Sequence, residues 1–106
     1  MHGGRMRLKM LLLVICMYAA PGAAPAAVDC SRAKSNVDKL VCSSSVLGVA
    51  EEEMARSYRS AMRRGVDLRE LQRTHIEWYE QVRNACNDVP CLLKAFDDRS
   101  AELDNY

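Results

Sequence analysis

The chain has 106 residues and a formal net charge of +1, from 15 lysines and arginines and 14 aspartates and glutamates. Residues 1–26 contain three of the basic residues and no acidic one, so residues 27–106 carry 12 basic and 14 acidic side chains and a net charge near −2. Nucleic-acid-binding domains show a clear basic excess, which argues against that class of protein. Eighty residues form one small domain, which excludes a multidomain enzyme.

The first 26 residues have the three parts of a secretory signal peptide. A stretch with three basic residues precedes an unbroken, mostly apolar run at residues 10–20, and small residues follow up to Ala26. The apolar run is too short to cross a membrane core of about 30 Å. We therefore predict cleavage after Ala26 and a mature chain of residues 27–106 that is periplasmic or secreted and has no membrane anchor.

The mature chain begins with the patterns of one short helix and one long helix. Ser35 and Asp38 have the spacing of a capping box, in which two side chains satisfy two backbone N–H groups, and a short helix over 36–42 follows. Apolar residues at steps of three and four then mark one face of a helix over 46–64, which Gly65 ends. That face consists of Leu47, Ala50, Met54, Tyr58, Ala61 and Met62.

Two further helices are predicted in the second half. Asp67 and Glu70 form another capping-box pattern and open a helix that we expect to extend to Cys86. Its apolar face consists of Leu68, Leu71, His75, Trp78, Tyr79 and Val82. Pro90 suits the first turn of a last helix, where its missing N–H costs nothing. The apolar face of that helix consists of Leu92, Ala95, Phe96 and Leu103. No segment alternates with a period of two, so we predict an all-α fold, a small disulfide-stapled helical bundle with one short helix and three longer ones.

Four cysteines belong to the mature chain: Cys30, Cys42, Cys86 and Cys91. An even number of cysteines in a small exported chain indicates two disulfide bonds, although four cysteines allow three pairings. We favour Cys30–Cys42, because the segment before the first helix can fold back, and Cys86–Cys91, because this bond pins the last two helices together. The intervals of 11, 43 and 4 residues between the cysteines differ from paired zinc ligands, so we predict no metal site.

The order of these motifs resembles a family of exported bacterial domains. The second half carries the most specific part, W-x4-R-N-x-C-x4-C-L, which starts at Trp78 and includes Arg83. The first half contributes Asp29-Cys30, Cys42, Leu47, Met54 and Tyr58. Over residues 29–103 the chain resembles the N-terminal domain of the LprI-type lysozyme inhibitors. The resemblance implies an exported helical domain with a protein partner, for which lysozyme is the candidate.

The acidic run Glu51-Glu52-Glu53 is the candidate partner-binding site. Acidic residues near the start of a helix also favour the positive end of its dipole, which is a purely structural explanation. The functional interpretation is electrostatic steering towards a basic partner such as lysozyme, because complementary charge raises association rate and specificity. Both interpretations stay open from the sequence.

The remaining notable side chains are interpreted as structural. His75 is the only histidine of the mature chain and lies in no recognisable pattern with a nucleophile and an orienting acid, so we predict a half-buried packing residue and no catalytic site. Tyr58, Trp78 and Tyr79 are expected in the core of so small a domain. Arg83 is expected to form an ion pair with Asp88 or another acid. No cofactor is implied.

The sequence therefore predicts an exported, non-catalytic binding protein that, by resemblance, inhibits lysozyme. Two alternatives remain from the sequence alone. The first is an envelope stress or chaperone-like module that binds unfolded proteins, which requires exposed apolar surface. The second is an accessory subunit of an envelope complex. An enzyme and a nucleic-acid-binding protein are not expected.

Overall fold

The computed structural model describes residues 28–106. This part of the chain forms four α-helices and contains no strand: α1 (Asn36–Ser43), α2 (Ser45–Arg63), α3 (Leu68–Gln81) and α4 (Val89–Asp104). Short 3-10 turns at Cys30–Arg32 and Arg83–Ala85 precede α1 and α4. The all-α prediction is confirmed. The predicted signal peptide and its cleavage site lie outside the described residues.

Each helix begins at a side chain that accepts a hydrogen bond from a backbone N–H of its first turn. These groups have no partner within a helix, so such a cap satisfies a donor that is otherwise left unpaired. The four capping residues are Ser35, Ser44, Asp67 and Asp88. At the other end of α2, Gly65 has a φ of 78°, a left-handed conformation that glycine adopts without a steric penalty.

The two predicted capping boxes are only half formed. Ser35 and Asp67 accept backbone bonds as expected. The acids of the pattern, Asp38 and Glu70, accept no hydrogen bond from the backbone N–H of the capping residue. Asp38 instead accepts from Arg83 Nη2 at 2.8 Å, and Glu70 binds Arg73. The prediction is wrong for these two acids, because each carboxylate binds a guanidinium, which supplies an opposite charge as well as N–H donors.

Helices α2 and α4 form the centre of the bundle and run parallel, with α3 antiparallel to both. Their carboxyl ends are joined by a hydrogen bond of 2.8 Å from Arg64 Nη2 to the carbonyl oxygen of Leu103. Helix α3 contributes Trp78, whose ring lies 5.8 Å from that of Phe96. One cluster of buried side chains fills the interior: Val37, Val41, Leu47, Ala50, Met54, Tyr58, Ala61, Leu71, Trp78, Cys86, Leu92, Ala95, Phe96 and Leu103.

Several residues that were assigned to apolar faces lie at the surface instead. Met62, Leu68 and Tyr79 are 39 %, 50 % and 40 % exposed. Met62 and Tyr79 directly follow the buried Ala61 and Trp78, and adjacent residues on a helix point about 100° apart, so only one of each pair faces the core. Leu68 is the first residue of α3 and lies one turn before Leu71, where that helix enters the core.

Helix α3 ends five residues earlier than predicted. The amide of Val82 still donates to the carbonyl oxygen of Trp78, but the chain then tightens into the turn at Arg83–Ala85 before it reaches Cys86. This change of direction leaves Val82, which was expected to be buried, 45 % exposed. It also turns Arg83 inward, where the residue is 1 % exposed.

Two disulfide bonds fix the ends of the bundle, and they join the pairs that the sequence favoured. Cys30–Cys42 ties the amino-terminal turn to α1, with 5.6 Å between the Cα atoms. Cys86–Cys91 bridges the connection between α3 and α4, with 5.5 Å between the Cα atoms. No helix within residues 28–106 is long and apolar enough to cross a membrane.

Candidate functional site

The acidic run is divided between the interior and the surface. Glu52 and Glu53 are exposed, whereas Glu51 is only 7 % exposed. Glu51 directly follows the buried Ala50 and precedes Met54 by three residues, so the helical period places it on the inner side of α2, where the amino-terminal segment covers it. The expectation that all three glutamates contact a partner is therefore wrong for Glu51.

Glu51 is instead held beneath the amino-terminal segment. The backbone N–H of Val28 donates to its Oε1 at 3.0 Å, and its Oε2 has no hydrogen-bond partner within residues 28–106. Burial raises the pKa of the Glu51 carboxyl, and the Val28 N–H and the more distant charge of Arg83 offset this effect only in part. A buried carboxylate with a single backbone donor is poorly compensated.

Arg83 joins three parts of the fold. Its Nη2 bonds to Asp38 Oδ1 at 2.8 Å, its Nη1 donates to Asn84 Oδ1 at 3.0 Å, and its guanidinium carbon lies 4.4 Å from the centre of the Tyr79 ring. The expected ion pair thus forms with Asp38 on α1, while Asp88 caps α4. Arg83 connects the turn before α4 to α1 and α3, which is a structural role.

A cleft of about 310 Å³ lies beside these residues, and we call it the Glu51 cleft. The amino-terminal segment with Val28, the Asp38–Arg83 pair, Tyr79 and Glu51 form its walls. It therefore combines a buried carboxylate with an ion pair between a buried arginine and a half-buried aspartate, and with a half-exposed aromatic ring.

His75 lies on the inner side of α3 between two aromatic rings. Its ring centre is 4.7 Å from that of Tyr58 and 5.3 Å from that of Trp78, and both of these residues lie in the core as expected. Its Nδ1 accepts a hydrogen bond of 3.2 Å from Arg99 Nε. Burial and the charge of Arg99 lower the pKa of His75 to about 4, so the ring is neutral at neutral pH and serves as an acceptor.

The burial of Arg99 was not predicted from the sequence either. The residue is 1 % exposed, and its Nη2 donates to Thr74 Oγ1 at 3.1 Å. The Thr74 hydroxyl in turn bonds to the Tyr106 hydroxyl at 2.6 Å. The signal was present in the helical spacing, because Arg99 continues the face formed by Leu92, Phe96 and Leu103.

A shallow groove between α2 and α4 provides the best candidate for a protein-binding surface. Its floor contains Val46 and Val49, which are 54 % and 59 % exposed, together with the half-buried Leu93. Glu53 and Asp97 border it, one from each helix, and its volume is about 330 Å³. We call this surface, with the neighbouring Glu52, the acidic groove.

The carboxylates of the acidic groove are not held in ion pairs, although Arg56 and Lys94 lie one helical turn away on the same helices. Within residues 28–106, Glu52, Glu53 and Asp97 form no ion pair, unlike several acids on other exposed faces. The contrasting pairs are Glu70 and Glu77 with Arg73, and Asp98 with Lys94, at N–O distances of 2.6 to 2.7 Å. The groove therefore presents apolar surface next to carboxylates that form no ion pair within residues 28–106.

The described residues contain no group of three or more His, Cys, Asp or Glu side chains placed to hold a metal ion. The fold and the groove define a small, disulfide-bonded helical bundle with an acidic and partly apolar surface. No family model, curated protein or solved structure matches the chain. The resemblance to the LprI-type domain accordingly remains a hypothesis that rests on the motifs at residues 29–103.

Proposed function

We propose that the chain is an exported, non-catalytic binding protein whose acidic groove binds a basic protein. Lysozyme is the first candidate partner, because of the resemblance to the LprI-type domain. The observation that carries the proposal is the combination of exposed Val46 and Val49 with the unpaired carboxylates of Glu53 and Asp97.

The apolar side chains and the carboxylates of the acidic groove have distinct roles in binding. Exposed apolar side chains in a groove provide contact area that excludes water, from which most of the affinity of a protein interface derives. Uncompensated carboxylates raise the association rate with a basic partner and select against acidic ones. Since Glu53 and Asp97 lie on two packed helices, the partner meets a surface that is already ordered, which lowers the entropic cost of association.

Export is supported by two independent features. Disulfide bonds form and persist in oxidising compartments, and the described residues contain two of them. The amino-terminal sequence has the pattern of a signal peptide. In such a compartment the protein meets secreted lysozymes, and inhibition follows from occlusion, since a rigid bundle that docks at the substrate cleft blocks access to the cell wall.

Association kinetics with a basic c-type lysozyme test the proposal. Glu53→Lys and Asp97→Lys reverse a charge within the acidic groove, and Glu80→Lys makes the same change at an exposed position of α3 outside it. We expect each groove variant to lower the association rate about tenfold at low salt, and the effect to shrink as salt is added. Glu80→Lys should have a much smaller effect.

The matched control separates a local surface from overall charge. Equal rates for Glu53→Lys and Glu80→Lys would contradict the groove as the binding surface. A complete absence of binding to lysozyme by the folded, oxidised protein would contradict lysozyme as the partner. A replacement of Val49 by serine should mainly raise the dissociation rate, because it removes apolar contact without a change of charge.

A chaperone-like function is the second candidate, and the contact between His75 and Arg99 favours it. Protonation of His75 removes the acceptor for Arg99 Nε and places a second cation beside it, so acid should loosen α3. Ile76, on the outer side of α3, is 57 % exposed and would extend any apolar surface that then opens. Binding of a hydrophobic dye in acid by the native protein, and its absence for His75→Gln, would support this function.

A further inference from the structure

Glu51 is the one uncompensated charge of the Glu51 cleft, as far as residues 28–106 show. The other charged groups that face the cleft are paired: Asp29 with Arg32 at 3.6 Å, and Asp38 with Arg83 at 2.8 Å. His75, from α3, is neutral. The nearest group on the same helix, Glu52, is itself acidic and raises the pKa of Glu51 further.

A carboxylate that is 7 % exposed and has no cationic partner is costly, because burial removes the water that otherwise stabilises its charge. The Val28 N–H satisfies Oε1 only, and Oε2 has no partner among the described residues. The group that would complete this site is a compact cation with hydrogen-bond donors. A primary ammonium group, with three N–H donors on one atom, has these properties.

The covalent structure of the chain provides such a group next to Glu51. The backbone nitrogen of Val28 lies 3.0 Å from Glu51 Oε1. The nitrogen of residue 27 is only three covalent bonds away from that atom, which limits their separation to about 4 Å. Cleavage after Ala26, as the sequence predicts, converts the nitrogen of residue 27 from an uncharged amide into an α-ammonium group.

We propose that Glu51 and the cleft around it form a binding site for a primary ammonium group, and that its occupant is the α-ammonium of Ala27, released by signal-peptide cleavage. The resulting ion pair joins the new amino terminus to the inner side of α2. Before cleavage the same nitrogen carries no charge, so Glu51 has no counter-charge. The site thus distinguishes the mature chain from its precursor, whatever partner the acidic groove binds.

The pKa of the α-amino group is the direct readout. The full 106-residue chain is expressed for export, and the exported product is isolated with its disulfides intact. Mass spectrometry should show residue 27 as its first residue. An α-amino group ordinarily has a pKa of about 7.7–8.0, and an ion pair with a buried carboxylate should raise it by about one unit or more in an NMR titration.

Two glutamine variants identify the carboxylate responsible. Glu51→Gln removes the charge but retains a carbonyl oxygen that can accept the bond from Val28 N, so the amino-terminal segment keeps its anchor. In this variant the pKa of the α-amino group should return to the ordinary range. Glu52→Gln removes an exposed charge one residue away and should leave the raised pKa in place.

A second measurement covers the case in which Glu51→Gln fails to fold. Acetylation of the α-amino group removes its charge without any substitution, and it should lower the urea midpoint of the native protein and of Glu52→Gln. The proposal is overturned if the α-amino pKa of the native protein lies in the ordinary range, or if acetylation leaves its urea midpoint unchanged. It is also overturned if the exported product begins at another residue.

Discussion

Arg83 and Arg99 are both 1 % exposed, yet their surroundings differ. Arg83 meets the carboxylate of Asp38 at 2.8 Å, so its charge is matched by an opposite charge in direct contact. Arg99 meets the neutral acceptors His75 and Thr74, and its contact with a carboxylate, that of the exposed Glu102, is 3.4 Å long. The first arginine is held by charge and the second by hydrogen bonds to neutral groups, so they should respond differently to substitution and to acid.

Loss of the charged partner should have the largest effect. Arg83→Met leaves Asp38 without its guanidinium partner in a half-buried position and should lower the free energy of unfolding by about 3 kcal/mol, measured by urea denaturation. Arg73→Met is the matched control, because Arg73 makes two ion pairs of 2.6 Å but its side chain is 60 % exposed. The control should lower the free energy of unfolding much less, because water and salt screen an exposed ion pair. Similar losses for the two variants would contradict the role assigned to Arg83.

Acid should lower the stability of the fold through His75, the residue that accepts a hydrogen bond from Arg99. The pKa of His75 is about 4 in the folded protein, against an ordinary value of 6.5. Above pH 6.5 the ring is neutral in both states. As the pH falls from 6.5 towards 4, the unfolded chain takes up the proton first, so the folded state loses stability, by roughly 2 kcal/mol once partial contact with water is considered.

The difference between the unfolding curves of the native protein and His75→Gln isolates this effect. The glutamine variant should lack the loss between these pH values, because glutamine at position 75 does not take up a proton. Glu51 is present in both proteins, so its titration cancels in the difference between the two curves. A parallel decline of both proteins would show that His75 is not the acid-sensitive group.

The smallest expected effect concerns the aromatic ring beside each arginine. The Arg83 guanidinium carbon is 4.4 Å from the centre of the Tyr79 ring, and that of Arg99 is 6.0 Å from the centre of the Tyr106 ring. Tyr79→Leu should cost about 1 kcal/mol, and a double-mutant cycle with Arg83→Met should attribute most of it to the pair. A coupling energy near zero would indicate that the two side chains are neighbours without a favourable interaction.

Local patterns in the sequence were sufficient for the helices. The steps of three and four residues in α2 and α4, the capping side chains and Gly65 all act within a few residues, and they predicted an all-α bundle. The end of α3 was the exception. Nothing in the local sequence shows that Arg83 turns inward to meet Asp38, because its partner is 45 residues away in the chain.

The candidate site was predictable only in part, for the same reason. The acidic run was recognisable, but the burial of Glu51 depends on the amino-terminal segment, whose Val28 is 23 residues distant. The acidic groove also requires Asp97 and Leu93 from α4, which the parallel packing of α2 and α4 brings beside Glu53. The sequence alone contains the residues of the groove but not their proximity.

A cell-wall lysis assay with a basic c-type lysozyme and the purified, oxidised chain of residues 27–106 tests the central claim most directly. The account predicts stoichiometric inhibition by the native protein and weaker inhibition by Glu53→Lys, with Glu80→Lys close to native. Undiminished lysis in the presence of a large excess of the helical, oxidised protein would contradict it.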